Sequence, residues 1–235
     1  MTTPLVVSEV FKSFTMHLRD GIRLPVVNDV SFSVASGECV VLGGPSGIGK
    51  SSLLKMVYGN YAVDAGQILV RHKDRIIDLA TADPRTVLDV RRNTLGYVSQ
   101  FLRTIPRVAA IDVVAEPLAA GGENPDVARE RAAALLARLN LPKELWQLPP
   151  ATFSGGEQQR VNIARGFITD HAILLLDEPT ASLDQSNRKV VTDLILEKKR
   201  QGVAVLGIFH DEEVRKTVAD RILDVSKFSP RKSAA

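Results

Sequence analysis

Residues 44 to 51 read Gly-Pro-Ser-Gly-Ile-Gly-Lys-Ser. That spacing of glycines around a lysine and a hydroxyl suits the cradling of phosphate. Gly44, Gly47 and Gly49 let the backbone turn tightly and bring N–H groups up to phosphate oxygens with no Cβ in the way. Pro45, Ser46 and Ile48 complete the loop, and Ser52 follows it into a helix. Lys50 is expected to reach the β- and γ-phosphates of a nucleoside triphosphate, with the Ser51 hydroxyl on Mg2+. A second carboxylate-bearing stretch, Ile173-Leu174-Leu175-Leu176-Asp177-Glu178, lies downstream. Asp177 is expected in the Mg2+ shell, and Glu178 as the general base that orients and polarises the attacking water. Just before it stands Ser154-Gly155-Gly156-Glu157-Gln158. It reads as a serine N-cap with two glycines, another place where N–H groups and a helix dipole meet phosphate.

These residues need particular elements to hold them. Cys39-Val40-Val41-Leu42 before the loop is strand-like and Ser51 to Met56 after it is helical, the strand–loop–helix order the motif requires. The helix begins near Gly49 and adds its positive dipole end. The continuous apolar run before Asp177 suits a strand buried on both faces of a parallel sheet. Ligands of such sheets bind beyond the strands' carboxyl ends, where Asp177 and Glu178 fall. Near the N-terminus, Leu5 to Val10 and Val26 to Val34 alternate as strands, and the polar Phe14 to Leu24, with Gly21, reads as a hairpin loop. Ser36-Gly37-Glu38 is a turn, and further strands are expected at Gln67–Val70, Arg75–Leu79 and Leu95–Ser99. Val127, Leu135, Leu136 and Leu139 form a helical stripe ending at Leu141-Pro142, and a second helix is expected from Ser154 to Phe167. Strands resume at Ala172–Leu176 and Val203–Ile208. The fold class is α/β: one domain over 1–235, with a nucleotide-binding core from 1–100 and 169–235 and a helical subdomain over 101–168.

Composition narrows the setting. With 45% hydrophobic and 24% charged residues, the chain has the profile of a soluble globular protein with a full core. No stretch has the uninterrupted apolar length needed to span a bilayer, and no secretory signal is evident. Cys39 stands alone, so an internal disulfide is out of reach and a small buried thiol is expected. These features point to the cytoplasm. The net charge is +3 and its lysines and arginines are spread out, so no nucleic-acid partner is expected. The basic run Lys227 to Lys232 reads as a solvated tail.

With the phosphate loop, Ser154 to Gln158 and Ile173 to Glu178 in this order, the chain resembles the ATP-binding-cassette (ABC) ATPases over nearly its whole length. The resemblance implies a P-loop NTPase nucleotide-binding domain of ABC type with an N-terminal antiparallel β subdomain and a helical insert, binding ATP and Mg2+. Gln100 matches the glutamine that contacts Mg2+ and water, and Ser182-Leu183-Asp184 the loop that communicates across a dimer. His210 matches the histidine that contacts the γ-phosphate. Phe14 is the candidate for stacking on adenine, with Phe11 close enough to compete. The catalytic set implied is Glu178, His210, Lys50 and Gln100. The partner implied is a second ABC subunit, identical or related, closing head-to-tail. Ser154, Gly155, Gly156 and Glu157 of one chain would then face the γ-phosphate held by Lys50 of the other. His17, His72 and His171 are read as structural.

Gln100 to Leu118, with Phe153 to Gly166, more closely resembles the L subunit of the carbon–phosphorus lyase system, which degrades phosphonates. Transport cassettes commonly carry an apolar pair before the proline, whereas this chain has Arg103 and then, after Pro106, Arg107; both are candidates for docking an acidic partner. The likeness implies work with the carbon–phosphorus lyase core complex in forming alpha-D-ribose 1-methylphosphonate 5-triphosphate from ATP and a phosphonate. The residues themselves predict ATP binding and hydrolysis only. The alternatives are the ATPase of a membrane transporter of export or lipoprotein-release type, which needs a membrane subunit, and an ATP-dependent clamp without essential hydrolysis.

Overall fold

The computed structural model describes residues 2–16, 22–102 and 106–229. Its strands are β1 (Leu5–Met16), β2 (Ile22–Val34), β3 (Cys39–Gly43), β4 (Ala65–His72), β5 (Arg75–Asp78), β6 (Leu95–Val98), β7 (Ile173–Asp177), β8 (Ala204–Ile208) and β9 (Arg221–Asp224). Its helices are α1 (Lys50–Val57), α2 (Pro84–Asn93), α3 (Ala110–Ala120), α4 (Pro125–Arg138), α5 (Gly155–Phe167), α6 (Gln185–Arg200) and α7 (Glu212–Val218). The strands form an antiparallel sheet, β2-β1-β4-β5, and a five-stranded parallel sheet, β6-β7-β8-β3-β9.

Period-two alternation explains the layering. Val41, Leu174, Leu176 and Val205 point into a cluster shared with Val114, Ala132, Leu136 and Ile163 of α3, α4 and α5. Their neighbours Val40, Leu42, Leu175 and Leu206 point the other way, onto Leu5, Val7 and Ile68 of the antiparallel sheet and Leu53 of α1. The parallel sheet is therefore the middle layer, buried on both faces, as the unbroken apolar runs of β7 and β8 require. Each fully buried Val or Leu there contributes about 1.5–3 kcal/mol relative to exposure. The result is an α/β fold: α3, α4 and α5 pack on one face of the parallel sheet, and α1 with the antiparallel sheet on the other. Cys39 is buried as expected, and desolvation pushes its thiol up to about 12, which makes it a poor nucleophile.

Local expectations fail at three places. The residues from Phe14 to Leu24 are not all loop: β1 and β2 continue past them, with Phe14 paired to Leu24 and Met16 to Ile22. Polar side chains misled because a hairpin that projects beyond its sheet needs ladder hydrogen bonds but no apolar face. In α4 the buried line is Ala128, Ala132 and Leu136, while Val127 is exposed; small alanines let α4 approach closely and turn Val127 outward. Helices α2 and α3 and strand β9 had no sequence assignment. The short α2 buries Val90 fully but leaves Leu88 exposed, too little stripe for periodicity to register.

Candidate functional site

Four strands of the parallel sheet deliver their carboxyl ends to one place. β3 ends at Gly43 and passes into the glycine loop, from which α1 starts at Lys50. Gly49 has φ 106, and a Cβ there would lie 2.8 Å from Val26 Cγ1, so glycine is needed both for the backbone and for the approach of β2. No side chain caps α1, which leaves its first N–H groups for an anion. Lys50 is buried, and its Nζ donates to the carbonyls of Gly44 at 2.8 Å and Pro45 at 2.9 Å. The ammonium has three protons to give. Bent back over the loop in this way, it sits among the amides that would receive phosphate.

β7 delivers Asp177 and Glu178. Ser51 donates to Asp177 Oδ1 at 3.1 Å, and the Tyr97 hydroxyl of β6 donates to Oδ2 at 3.3 Å. Burial raises the Asp177 carboxyl above its usual range; the two hydrogen bonds oppose that shift, and the nearby Glu178 adds to it. Glu178 adopts the left-handed φ 54 just past the end of β7. His210 Nε2, just beyond β8, lies 2.8 Å from Glu178 Oε1. Gln100, beyond β6, donates Nε2 to Oε2 at 3.3 Å. Ser51, Asp177, Glu178, Gln100 and His210 thus meet beside Lys50.

Among the described residues no three acids, histidines or cysteines form a metal cage. Ser51 and Asp177 offer adjacent hard oxygens instead, which fits a small divalent ion that takes its other ligands from nucleotide phosphates and water.

Phe14 pairs with Leu24, two residues along β2 from the Val26 that packs on Gly49. Tyr61 meets its ring edge-on with centroids 5.2 Å apart. Phe11 instead pairs with Ala65 of β4, farther along the strand from the hairpin tip.

Ser154, Gly155, Gly156 and Glu157 form a separate unit at the start of α5. Ser154 and Glu157 make a capping box: Glu157 Oε2 accepts from Ser154 N at 2.8 Å and from Oγ at 2.7 Å, and Glu157 N reaches Ser154 Oγ at 3.4 Å. Those bonds hold the Glu157 carboxyl below its usual range. Gly156 backs onto Ser182, whose carbonyl would lie 3.0 Å from an added Cβ. In this chain the cap faces outward, with Ser154 and Gly155 exposed.

Tyr97 escaped the sequence reading, as did Gln159 and Asn162, which tie α5 to the carbonyls of Pro179 at 3.0 Å and Ser99 at 2.5 Å. A phenol in the otherwise small or apolar strand leading to Gln100 was the available signal for Tyr97. His72 is buried between Thr94 and Asp89, and the half-buried His171 lies between Thr169 and the Arg92 carbonyl; both knit elements together. His17 and Arg103 lie outside the described residues. Arg107 is exposed with φ 67.

A family model described as "ABC transporter" matches residues 27–181, more than half of the chain. The cell division ATP-binding protein FtsE of Bacillus subtilis (strain 168) is 34% identical over 217 residues, which is 92% of this chain and 90% of that protein. The lipoprotein-releasing system ATP-binding protein LolD of Maricaulis maris (strain MCS10) is 40% identical and spans 86% of each. Among solved structures, the dimeric post-hydrolysis state of the ATP-binding cassette MJ0796 bound to ADP and Pi superposes with a TM-score of 0.84. It is 26% identical and covers 94% of this chain and 95% of that one.

Proposed function

From its membership of the ABC transporter ATPase family, we propose that this chain hydrolyses ATP at a seam between two cassettes and that the closure does work on a partner. The observation that carries the reading is the clamp on Glu178 by Gln100 and His210, beside the Ser51–Asp177 pair. Lys50 and the α1 amides bind and orient the triphosphate, and Phe14 carries the base. Bound Mg2+, held by Ser51 and Asp177 with Gln100 nearby, would neutralise charge on the β- and γ-oxygens. Glu178 takes a proton from the water that attacks the γ-phosphorus as the bond to the bridging oxygen breaks and ADP leaves. His210 keeps the Glu178 carboxylate aimed. The exposed Ser154 cap of a second chain completes the γ-phosphate's surroundings and excludes water. Residues 101–168 act in this reading as the helical subdomain that presents the cap.

Likeness to LolD and to a transporter-type family model favours a membrane transporter subunit as the partner. A second reading rests on the resemblance of Gln100 to Leu118, with Phe153 to Gly166, to the carbon–phosphorus lyase L subunit. There the partners are the lyase core complex and a related cassette, and the setting is cytoplasmic phosphonate breakdown through a ribose 1-methylphosphonate 5-triphosphate. Among the described residues no helix is long and apolar enough to cross a membrane.

The test has two parts. Glu178→Gln should bind ATP with Mg2+, lose at least about a hundredfold in turnover, and accumulate as a dimer in sedimentation. Turnover within a few-fold of the unmodified chain removes Glu178 from the mechanism. Affinity purification of the native protein with ATP and Mg2+ then separates the partners: an integral membrane protein supports the first reading, and phosphonate-lyase subunits the second.

A further inference from the structure

Asn140 lies immediately after the last turn of α4 in the left-handed conformation, φ 54. Glycine is the usual occupant of such a helix end; asparagine tolerates it and brings an amide. That amide is used. Asn140 Nδ2 donates to Asn187 Oδ1 at 3.1 Å, and the Asn140 carbonyl accepts from Arg160 of α5 at 3.2 Å. Asn187 is buried on the first turn of α6 and donates Nδ2 to both oxygens of Asp184, at 3.1 and 2.9 Å. Asp184 caps α6 by accepting from Asn187 N at 2.8 Å. These bonds hold its carboxyl below the usual range, the backbone bond most. Because an ionised Asp184 only accepts, Asn187 must turn its NH2 toward it. Its oxygen then faces Asn140, so Asn140 must present its own NH2. The orientation of each amide follows from the next, and the chain of bonds runs one way: Arg160, Asn140, Asn187, Asp184.

Both ends of this chain belong to the proposed seam. Arg160 is on the helix that Ser154 caps, and Asp184 ends the Ser182–Asp184 loop, against which Gly156 packs. We propose that Asn140 is a positioning residue: it locks the orientation of the α5 cap to that of the Ser182–Asp184 loop, so that both meet a second chain in register. The proposal rests on the two-cassette seam described above. Its partner is a second copy of this chain, met through the α5 cap and the Ser182–Asp184 loop together.

Asn140→Gly isolates the amide. It keeps the left-handed backbone and the carbonyl that Arg160 uses, and removes only the bond to Asn187. The measurement is made in the Glu178→Gln background, reading the ATP–Mg2+ dimer constant by sedimentation, the ATP affinity of the monomer, and the thermal midpoint. Asn140→Gly is expected to weaken the dimer about tenfold with monomer affinity unchanged, and Asn140→Asp, which sets a carboxylate against the Asn187 oxygen, to weaken it at least as much. A dimer constant within twofold of the parent, whether or not the thermal midpoint falls, makes the bond a structural strut and overturns the proposal. If Glu178→Gln alone stays monomeric with ATP and Mg2+, two copies of this chain do not form the seam, and this proposal falls together with the like-chain form of that reading.

Discussion

Asp177 is a buried carboxylate that, in the proposed site, must carry charge to hold Mg2+. Only 2% of it is exposed, and burial together with Glu178 pushes its carboxyl up. The opposing bonds come from Ser51 and Tyr97, and the Tyr97 ring stacks on Tyr58 at 4.7 Å, which in turn lies under Arg91 at 4.6 Å. Both oxygens of Asp177 are thus held from α1: one by Ser51 on its first turn, the other through Tyr58 just past its last. When Ser51 turns to a metal ion, Tyr97 remains to fix the carboxylate. Hydrogen bonds to charged groups contribute about 1.5–3 kcal/mol, and at 3.3 Å the lower end applies. Tyr97→Phe should therefore raise the Mg2+ concentration for half-maximal ATP hydrolysis by about tenfold while metal-free nucleotide binding is unchanged. An unshifted Mg2+ curve would leave Tyr97 with packing alone. Asp177 was legible because an apolar run ends in it. Tyr97 was not, because which strand lies beside β7 is decided by a long crossover rather than by local spacing.

The β1–β2 hairpin places Phe14, and one carboxylate ties it to the turn after α1. Asp64, in the turn after α1, accepts from Ser13 Oγ at 2.6 Å, Ser13 N at 2.8 Å and Lys12 Nζ at 3.1 Å. Those bonds, that from the Ser13 hydroxyl foremost, bring its carboxyl down to about 2 from 3.8. A carboxyl depressed on folding stabilises above its unfolded value, and that contribution fades as pH falls through the folded one. Asp64 is one-third exposed, so solvent screening leaves about 1 kcal/mol. Urea melts of Asp64→Asn should show that deficit at pH 6 and its disappearance between about pH 4 and 2; a deficit constant across this range would mean that charge is not involved. The hairpin was legible as two strands, but its reach was not. Lys12, Ser13 and Thr15 look like loop residues, and what holds them in a ladder is an aspartate about fifty positions away. The α5 cap, by contrast, was fully local: Ser154 and Glu157 stand three residues apart, the spacing a capping box needs.

At the scale of the molecule, the parallel sheet gathers Lys50, Gln100, Asp177, Glu178 and His210 at one edge while the Ser154 cap looks outward. The order of these motifs was plain in the sequence. Their division into an assembled half-site and an exposed cap came only from the family resemblance and not from the residues' spacing, because it depends on how α5 is hung from the sheet by Asn162 on Ser99 and Gln159 on Pro179. A half-site and a cap on one chain suit a two-fold pair in which each cap closes the other's half-site. That arrangement makes a demand that a site contained within one chain does not. Lys50→Ala destroys the half-site and Ser154→Arg the cap, so each variant alone should be inactive. In a mixed dimer, one seam keeps Lys50 from the Ser154→Arg chain and Ser154 from the Lys50→Ala chain, while the other seam loses both. Random pairing makes half of the dimers mixed with one sound seam each, so mixing the two inactive variants should recover roughly a quarter of the unmodified rate. If the mixture stays as inactive as its components, two copies of this chain do not share the site. Recovery that appears only when a second, related cassette is added would assign the outward cap to that partner instead.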